Sequence, residues 1–388
     1  MSSIPTARDY NKASVLDAIL SEAPLTRTRL IELTRLSQPT VSRKVDELRS
    51  DGFLVEQGVD AVPRRGRPST YLDVPGTAGH IVGVAFGTRT TCVLVTDLRG
   101  REISHVIVPS PPGGDMETSV KWLVDLIVDT ADSAEGPLRQ IVASLPRRVL
   151  SIPTKSGTPE LAKTLLESEF QSAIEQWLKA PVMLESDATS SLRGILKDDA
   201  SIGNAALFML STELSFASCT DHEIARGRTP AFGDLGGVIF SGIGNETLDG
   251  LLSTAGLLQF AKGRGLDLEG IEALWSRPQD PAPRADVMEA FTTAIVTAVG
   301  AVAVTLDPES VYFVGRLSPL VDEVLPEVRR RLSQSLPVVP ETRVAPQVIG
   351  LSVAQGAANA GVVLARSRLR ESVLEARNEV EIPLGGKI

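Results

Sequence analysis

Apolar positions along the chain follow two regimes. In the first 75 residues they recur at helical spacing in short blocks. Val15, Leu16, Ile19 and Leu20 predict a helix over Lys12–Glu22, which Pro24 ends. Leu30, Ile31 and Leu33 predict a second helix, with Thr26 as its N-cap. A third follows in LSQPTVSRKVDELRSDG. There Ser37 suits the N-cap, Pro39 falls in the first turn where its missing N–H costs nothing, and Gly52 ends the run. Val41, Val45 and Leu48 lie at i, i+4 and i+7, so one face is core and Arg43 points the opposite way, with Thr40, Ser42 and Lys44 on its flanks. Two strand-like segments, FLVEQG and PSTYLDV, come next, joined by VDAVPRRGR.

After Pro75 and Gly76 the period changes to α/β. HIVGVAFG, TCVLVTDLRG and REISHVIVP predict three strands joined by tight turns, followed by a helix from Met116 to about Ala134. IVASLP, PVMLESDA, NAALFMLST and SVYFVGR are further strand candidates between helical segments. The pattern predicts a strand-rich α/β domain with an internal duplication.

At 388 residues, 43% hydrophobic and 22% charged, the chain is long enough for two or three domains with real cores. It holds no run of 18 uncharged apolar residues, and MSSIPTARDYNK lacks the apolar core of a secretion signal, so a cytoplasmic protein without a membrane partner is expected. Cys92 and Cys219, both in strand-like apolar surroundings, fit buried thiols. The net charge of −9 is uneven: residues 1–75 hold 11 Lys and Arg against 10 Asp and Glu, and the rest hold 28 against 38. Two parts with different partners are implied.

The first part reads as a helix-turn-helix with a wing, a double-stranded DNA reader. Its third helix offers Gln38, Thr40, Ser42 and Arg43 at the end that would enter a major groove, where amide and guanidinium groups can make paired hydrogen bonds to a purine. Arg27, Arg29 and Lys44 are expected on phosphates. Arg64, Arg65 and Arg67 around Gly66 form a narrow basic finger suited to an A·T-rich minor groove. The bland alternative is that any helical hairpin carries polar residues outside, and a lone RRGRP is most often a solvated loop.

RGRPSTYLDV running into a GVxxG hairpin, then LESDA, FGDLGG and LDPESVYFVG in that order, resemble the ROK family of repressors, open reading frames and sugar kinases, from about Asn11 to about Arg366. The resemblance implies an α/β fold: an N-terminal winged helix-turn-helix over residues 1–75, then a two-lobed actin-like ATPase domain. Lobe 1 would span 76–190, joined by a returning helix over 352–370. Lobe 2, the dimerising part, would span 191–351, and 371–388 would be a tail. Members that carry the winged helix are transcription factors, usually repressors, that form dimers or tetramers and often sense a sugar or sugar phosphate. Members without it are mostly ATP-dependent sugar kinases.

Each kinase element can be compared with its chemistry. The DxGxT of the kinases stands here as Ala85-Phe86-Gly87-Thr88-Arg89-Thr90, without the carboxylate that organises the metal. Their GTGxGxG loop aligns with LSTELSFAS, residues 210–218, where Leu214 and Phe216 are expected to block the backbone approach that glycine permits. The adenosine segment keeps only Gly315. On the sugar side, Glu185-Ser186-Asp187 stands for E-N-D, and Asp187 would be the base in a kinase or a sugar-hydroxyl ligand in a repressor. Gly233-Asp234-Leu235-Gly236-Gly237 stands for G-E-x-G-H. Ser186, Asp187 and Asp234 are the candidate effector residues; the alternative reading makes Asp187 a helix cap and Asp234 a plain loop residue. SGIGNETLDGLLST has no cysteine or histidine, so no structural zinc is expected, and no cofactor. A regulator without kinase activity is the expectation. The alternatives are a regulator whose cleft takes no ligand and acts through a protein partner or constitutively, and a bifunctional sugar kinase.

Overall fold

In the computed structural model, residues 6–59, 70–87, 89–111, 115–145, 159–199, 201–227, 232–239, 246–276, 280–345 and 350–375 are described. The N-terminal unit comprises α1 (Ala7–Glu22), β1 (Leu25–Thr26), α2 (Arg27–Thr34), α3 (Gln38–Ser50), β2 (Val55–Val59) and β3 (Thr70–Asp73), with sheet order β1-β3-β2. Both expected caps are present. Thr26 Oγ1 accepts from the Arg29 amide at 3.3 Å, Ser37 Oγ accepts from the Thr40 amide at 3.4 Å, and Gly52 follows α3 with φ of 80°. The first helix begins a turn earlier than its apolar spacing indicates, because Thr6 and Asp9 cap it reciprocally.

One side chain departs from the sequence reading. Lys44 does not lie on the solvent flank of α3; it is 1% exposed, among the core positions Val41, Val45 and Leu48. Position 44 is i+3 from Val41, so it shares the apolar face, and its ammonium reaches Glu47 at 2.7 Å. Glu47 also accepts from Arg8 at 2.9 Å. Burial alone would raise the Glu47 carboxyl, but hydrogen bonds from Lys44 and Arg8 outweigh it and hold it below its ordinary value.

The body is built from two copies of one sheet plan. In the first lobe, β4 (His80–Phe86), β5 (Thr90–Asp97) and β6 (Glu102–Pro109) form an antiparallel meander. After α4 (Met116–Thr130), β7 (Leu138–Leu145) joins β4 in parallel, and after α5 (Pro159–Leu178), β8 (Val182–Ser186) joins β7, giving the order β6-β5-β4-β7-β8. Then α6 (Asp187–Asp198) leads to β9 (Ala205–Leu210), β10 (Leu214–Thr220) and β11 (Glu223–Ile224). Helices α7 (Leu248–Leu252), α8 (Thr254–Gly263), α9 (Ala273–Ser276) and α10 (Pro281–Leu306) follow. Strand β12 (Ser310–Val314), α11 (Ser318–Ser335) and β13 (Glu341–Val344) complete the second sheet, order β11-β10-β9-β12-β13. The expected duplication is therefore present strand for strand. The expected lobe boundary at 190/191 falls inside α6.

Helix α10 is long and apolar enough to cross a membrane by length and composition, yet Phe291, Ile295 and Val299 are fully buried in the core of the second lobe. The last helix, α12 (Leu351–Glu375), returns to the first lobe and packs on β4, β7 and α6. Its small residues permit close approach: a Cβ on Gly356 would stand 1.7 Å from the Ser190 carbonyl, and one on Gly83 of β4 would stand 2.2 Å from the Ala354 carbonyl. The helix does not stop at 370, where the tail was expected to begin, because Leu369 and Val373 continue its buried face against Leu16, Ile19 and Leu20 of the N-terminal unit. Arg370 meets Asp17 at 3.3 Å, and Arg99 of the first lobe meets Asp73 of β3 at 2.7 Å.

A methyl group added at position 356 has to push α12 off α6. Gly356→Ala is expected to destabilise the fold by about 1–3 kcal/mol, read from denaturant unfolding. Lys44→Met, which keeps the length and removes the buried charge, is expected to melt at or above the parent temperature, whereas Lys44→Ala melts below it. The Glu47 contribution is present at neutral pH and is lost as pH falls through its lowered folded value, so Glu47→Gln should flatten the acid limb of a stability-versus-pH curve.

Candidate DNA-reading helix and inter-lobe cleft

The N-terminal end of α3 is held open to solvent by its own cap. Gln38 and Arg43 are exposed, Thr40 and Ser42 are half-buried, and the Thr40 hydroxyl is 2.9 Å from Ser37 Oγ, inside the cap. Arg43 makes no hydrogen bond or ion pair with the described residues. Arg64, Arg65 and Arg67 lie outside the described residues. The three cations expected on phosphates are each occupied by carboxylates: Arg27 by Glu56 at 2.6 Å, Arg29 by Glu22 and Glu32 at 3.1 and 3.3 Å, and Lys44 by Glu47. Local sequence did not reveal this, since Glu56 and Glu22 come from neighbouring elements. Arg35, which was not singled out, occupies the turn between α2 and α3. It is exposed, with φ of 56°. Its signal was its position two residues before the Ser37 cap.

Between the lobes lies a cleft of about 1170 Å³. The β4–β5 hairpin contributes Ala85, Gly87 and Arg89, α6 contributes Asp187 and Ser191, and the β9–β10 turn contributes Ser211, Thr212 and Glu213. The start of α12 closes it with Ser352, Val353 and Gln355. Most of this wall is short hydroxyls and small apolar groups.

The structure separates the three residues expected at the effector. Asp187 lines the cleft, its Oδ1 accepting from the Ala188 amide at 2.9 Å. Ser186 is the N-cap of α6, accepting from the Thr189 amide at 3.1 Å. The cap considered for Asp187 thus belongs to its neighbour, whose position, one residue before the helix, has the extended backbone a cap requires. Asp234 is exposed and does not line the cleft. Glu185 is tied down structurally: Arg193 Nε reaches it at 3.1 Å, and Ser190, bonded in turn by Ser144, at 3.0 Å.

The phosphate side also differs in detail from expectation. Leu214 and Phe216 do not project into the cleft. Strand alternation turns them into the second lobe's core, where Phe216 packs on Phe208 at 5.2 Å, and Ser215 faces the cleft instead. At the turn itself stand Ser211-Thr212-Glu213, a carboxylate where kinase loops present backbone amides. Gly315 keeps its glycine because a Cβ there would meet the Leu210 carbonyl at 2.3 Å. Arg316 beside it pairs with Glu272, and that bond, aided by the nearby Arg89 charge, holds the Glu272 carboxyl below its ordinary value. Both cysteines are buried and free, and burial pushes the Cys92 thiol up to about 11. Among the described residues no group of three His, Cys, Asp or Glu could hold a metal ion.

No family model matches the chain. In sequence it is similar to the xylose repressor of Caldicellulosiruptor bescii, 28% identical over 189 residues, which are 48% of this chain and 47% of that protein. The xylose repressor of Bacillus subtilis is 23% identical over 238 residues, 59% of this chain and 60% of that one. A transcriptional regulator of Mycobacterium tuberculosis is 36% identical over 104 residues, 26% and 24% of the two chains. The chain thus spans about half the length of the first of these relatives. Among solved structures, a ROK family transcriptional regulator, a homolog of the E. coli MLC protein, superposes with a TM-score of 0.72 at 18% identity, covering 95% of this chain and 99% of that one. The ROK hexokinase of Thermus thermophilus superposes with a TM-score of 0.59 at 19% identity, over 74% of this chain and 99% of its own. The chain is thus similar in sequence to repressors over about half its length, and it shares its fold with a ROK family transcriptional regulator along nearly all of its length.

Proposed function

We propose that the protein is a DNA-binding transcriptional regulator, a repressor, acting in the cytoplasm as a homodimer whose kinase-like body takes a carbohydrate effector and does not transfer phosphate. The observation that carries the reading is the open end of α3, where Gln38 and Arg43 stand exposed on a winged helix seated firmly on the body. A two-fold dimer would present two such helices to a symmetric operator with half-sites about one helical turn, or a multiple, apart.

The absence of kinase activity is argued from the cleft. Ala85 stands where the metal-organising acid would be, and Glu213 brings negative charge to the turn that would face the nucleotide phosphates. The hydroxyl-lined wall around Asp187 suits a neutral polyol, and the xylose repressors among its relatives make xylose the first effector to test.

Selection of source-genome fragments by the purified protein at near-physiological salt should return two-fold symmetric sites, and Arg43→Ala should weaken their binding by about tenfold or more. Retention that is diffuse and fades with salt would sink the operator reading. A thermal-shift panel of pentoses, hexoses and ATP should show a sugar raising the melting temperature, by about 2.7 kcal/mol of stabilisation at 100 times its Kd, with the shift lost in Asp187→Asn. No shift with any sugar would point to an empty cleft. ADP release from ATP and a sugar should stay at background, and turnover abolished in Asp187→Asn would overturn the non-enzymatic assignment.

A further inference from the structure

The cations of the helix-turn-helix fall into two groups. Arg8, Lys12, Arg27, Arg29, Lys44 and Arg49 each face a carboxylate within 3.3 Å, and Glu56 serves both Arg27 and Arg49. Arg35 and Arg43 alone among the described residues of this unit have no such partner. The difference matters for a polyanion. Binding is driven by release of counterions from each phosphate that a net positive charge neutralises, and a cation already matched to a carboxylate brings that carboxylate to the phosphate as well.

Arg35 is singled out by a second, independent feature. It ends α2 in the left-handed region, φ 56° and ψ 23°, its amide donating to the Ile31 carbonyl at 2.9 Å. Glycine adopts this conformation without strain, whereas a residue with a Cβ is strained there. A long cationic side chain in a strained backbone, exposed and without a partner, has no role within the fold that glycine would not fill better. It stands two residues from the Ser37 cap, at the same end of α3 as Gln38.

We infer that Arg35 is a phosphate-contacting residue of the DNA interface, and that Arg27, Arg29, Lys44 and Arg49 are not. The inference rests on the DNA-binding reading above. The contact is independent of base sequence, so the test uses the full chain and a short mixed-sequence duplex, with affinity measured as a function of salt. Arg35→Gln and Arg35→Gly should each lower the log–log salt slope by about 0.9 and weaken binding about tenfold at near-physiological salt. Arg35→Lys should keep the slope, and Arg27→Gln should leave it at the parent value. Arg35→Gly should also raise the melting temperature, since it relieves the backbone strain, so lost affinity cannot be a folding defect. A parental slope in Arg35→Gln, or parental affinity in Arg35→Gly, would overturn the assignment while leaving DNA binding intact. A parent chain with no salt-dependent affinity for duplex would overturn the DNA-binding reading itself, and this contact with it.

Discussion

The architecture depends on how closely α12 can approach what it covers. A helix normally stands 8–10 Å from its neighbour because side chains intervene. Here the facing positions are reduced to Ala354, Gly356, Ala357, Ala358 and Gly361, so backbone meets backbone at Ser190 and Gly83. That seating buries the central strands β4 and β7 on their second face and fixes α6, which carries Asp187. The same helix then runs on beneath the winged helix, where Val362, Ala365, Leu369 and Val373 join its core. One element thus belongs to the cleft wall, the first lobe and the N-terminal unit.

Charge is arranged differently in the two parts. In the winged helix most cations are matched locally by carboxylates, each exposed pair worth about 0–1 kcal/mol, so they shape the surface more than they stabilise it. Lys44 is the exception, since its ammonium is withdrawn into the core, where it pairs with Glu47. In the cleft the balance is mixed, with Arg89, Lys197, Arg316 and Arg343 against Asp187, Asp199 and Glu213 around a hydroxyl-lined floor.

Much of this was legible in the sequence, for physical reasons. The central strands β4, β9 and β12 announce themselves as near-continuous apolar runs because they are covered on both faces, and the helix caps because Thr26 and Ser37 precede amides that need an acceptor. The duplication follows from repeated hairpin-then-crossover spacing. What stayed hidden depends on three-dimensional neighbours. The charge of Lys44 suggests a flank position, whereas its i+3 relation to Val41 puts it on the apolar face. The cap considered for Asp187 falls on Ser186 because a cap is defined by backbone geometry that adjacent residues share. The carboxylates that occupy Arg27 and Arg29 come partly from other elements. Arg35 was overlooked because nothing in its identity advertises a left-handed turn.

The length of α12 has a mechanical consequence. Its 25 residues span about 37 Å, with Ser352 and Gln355 at the cleft and Val373 under α1. A rigid bar of that length is a lever: a tilt of about 5° at the cleft end moves the far end by about 3 Å, close to the rise of one base pair along DNA. Small adjustments of the cleft wall are therefore amplified where the helix meets the N-terminal unit.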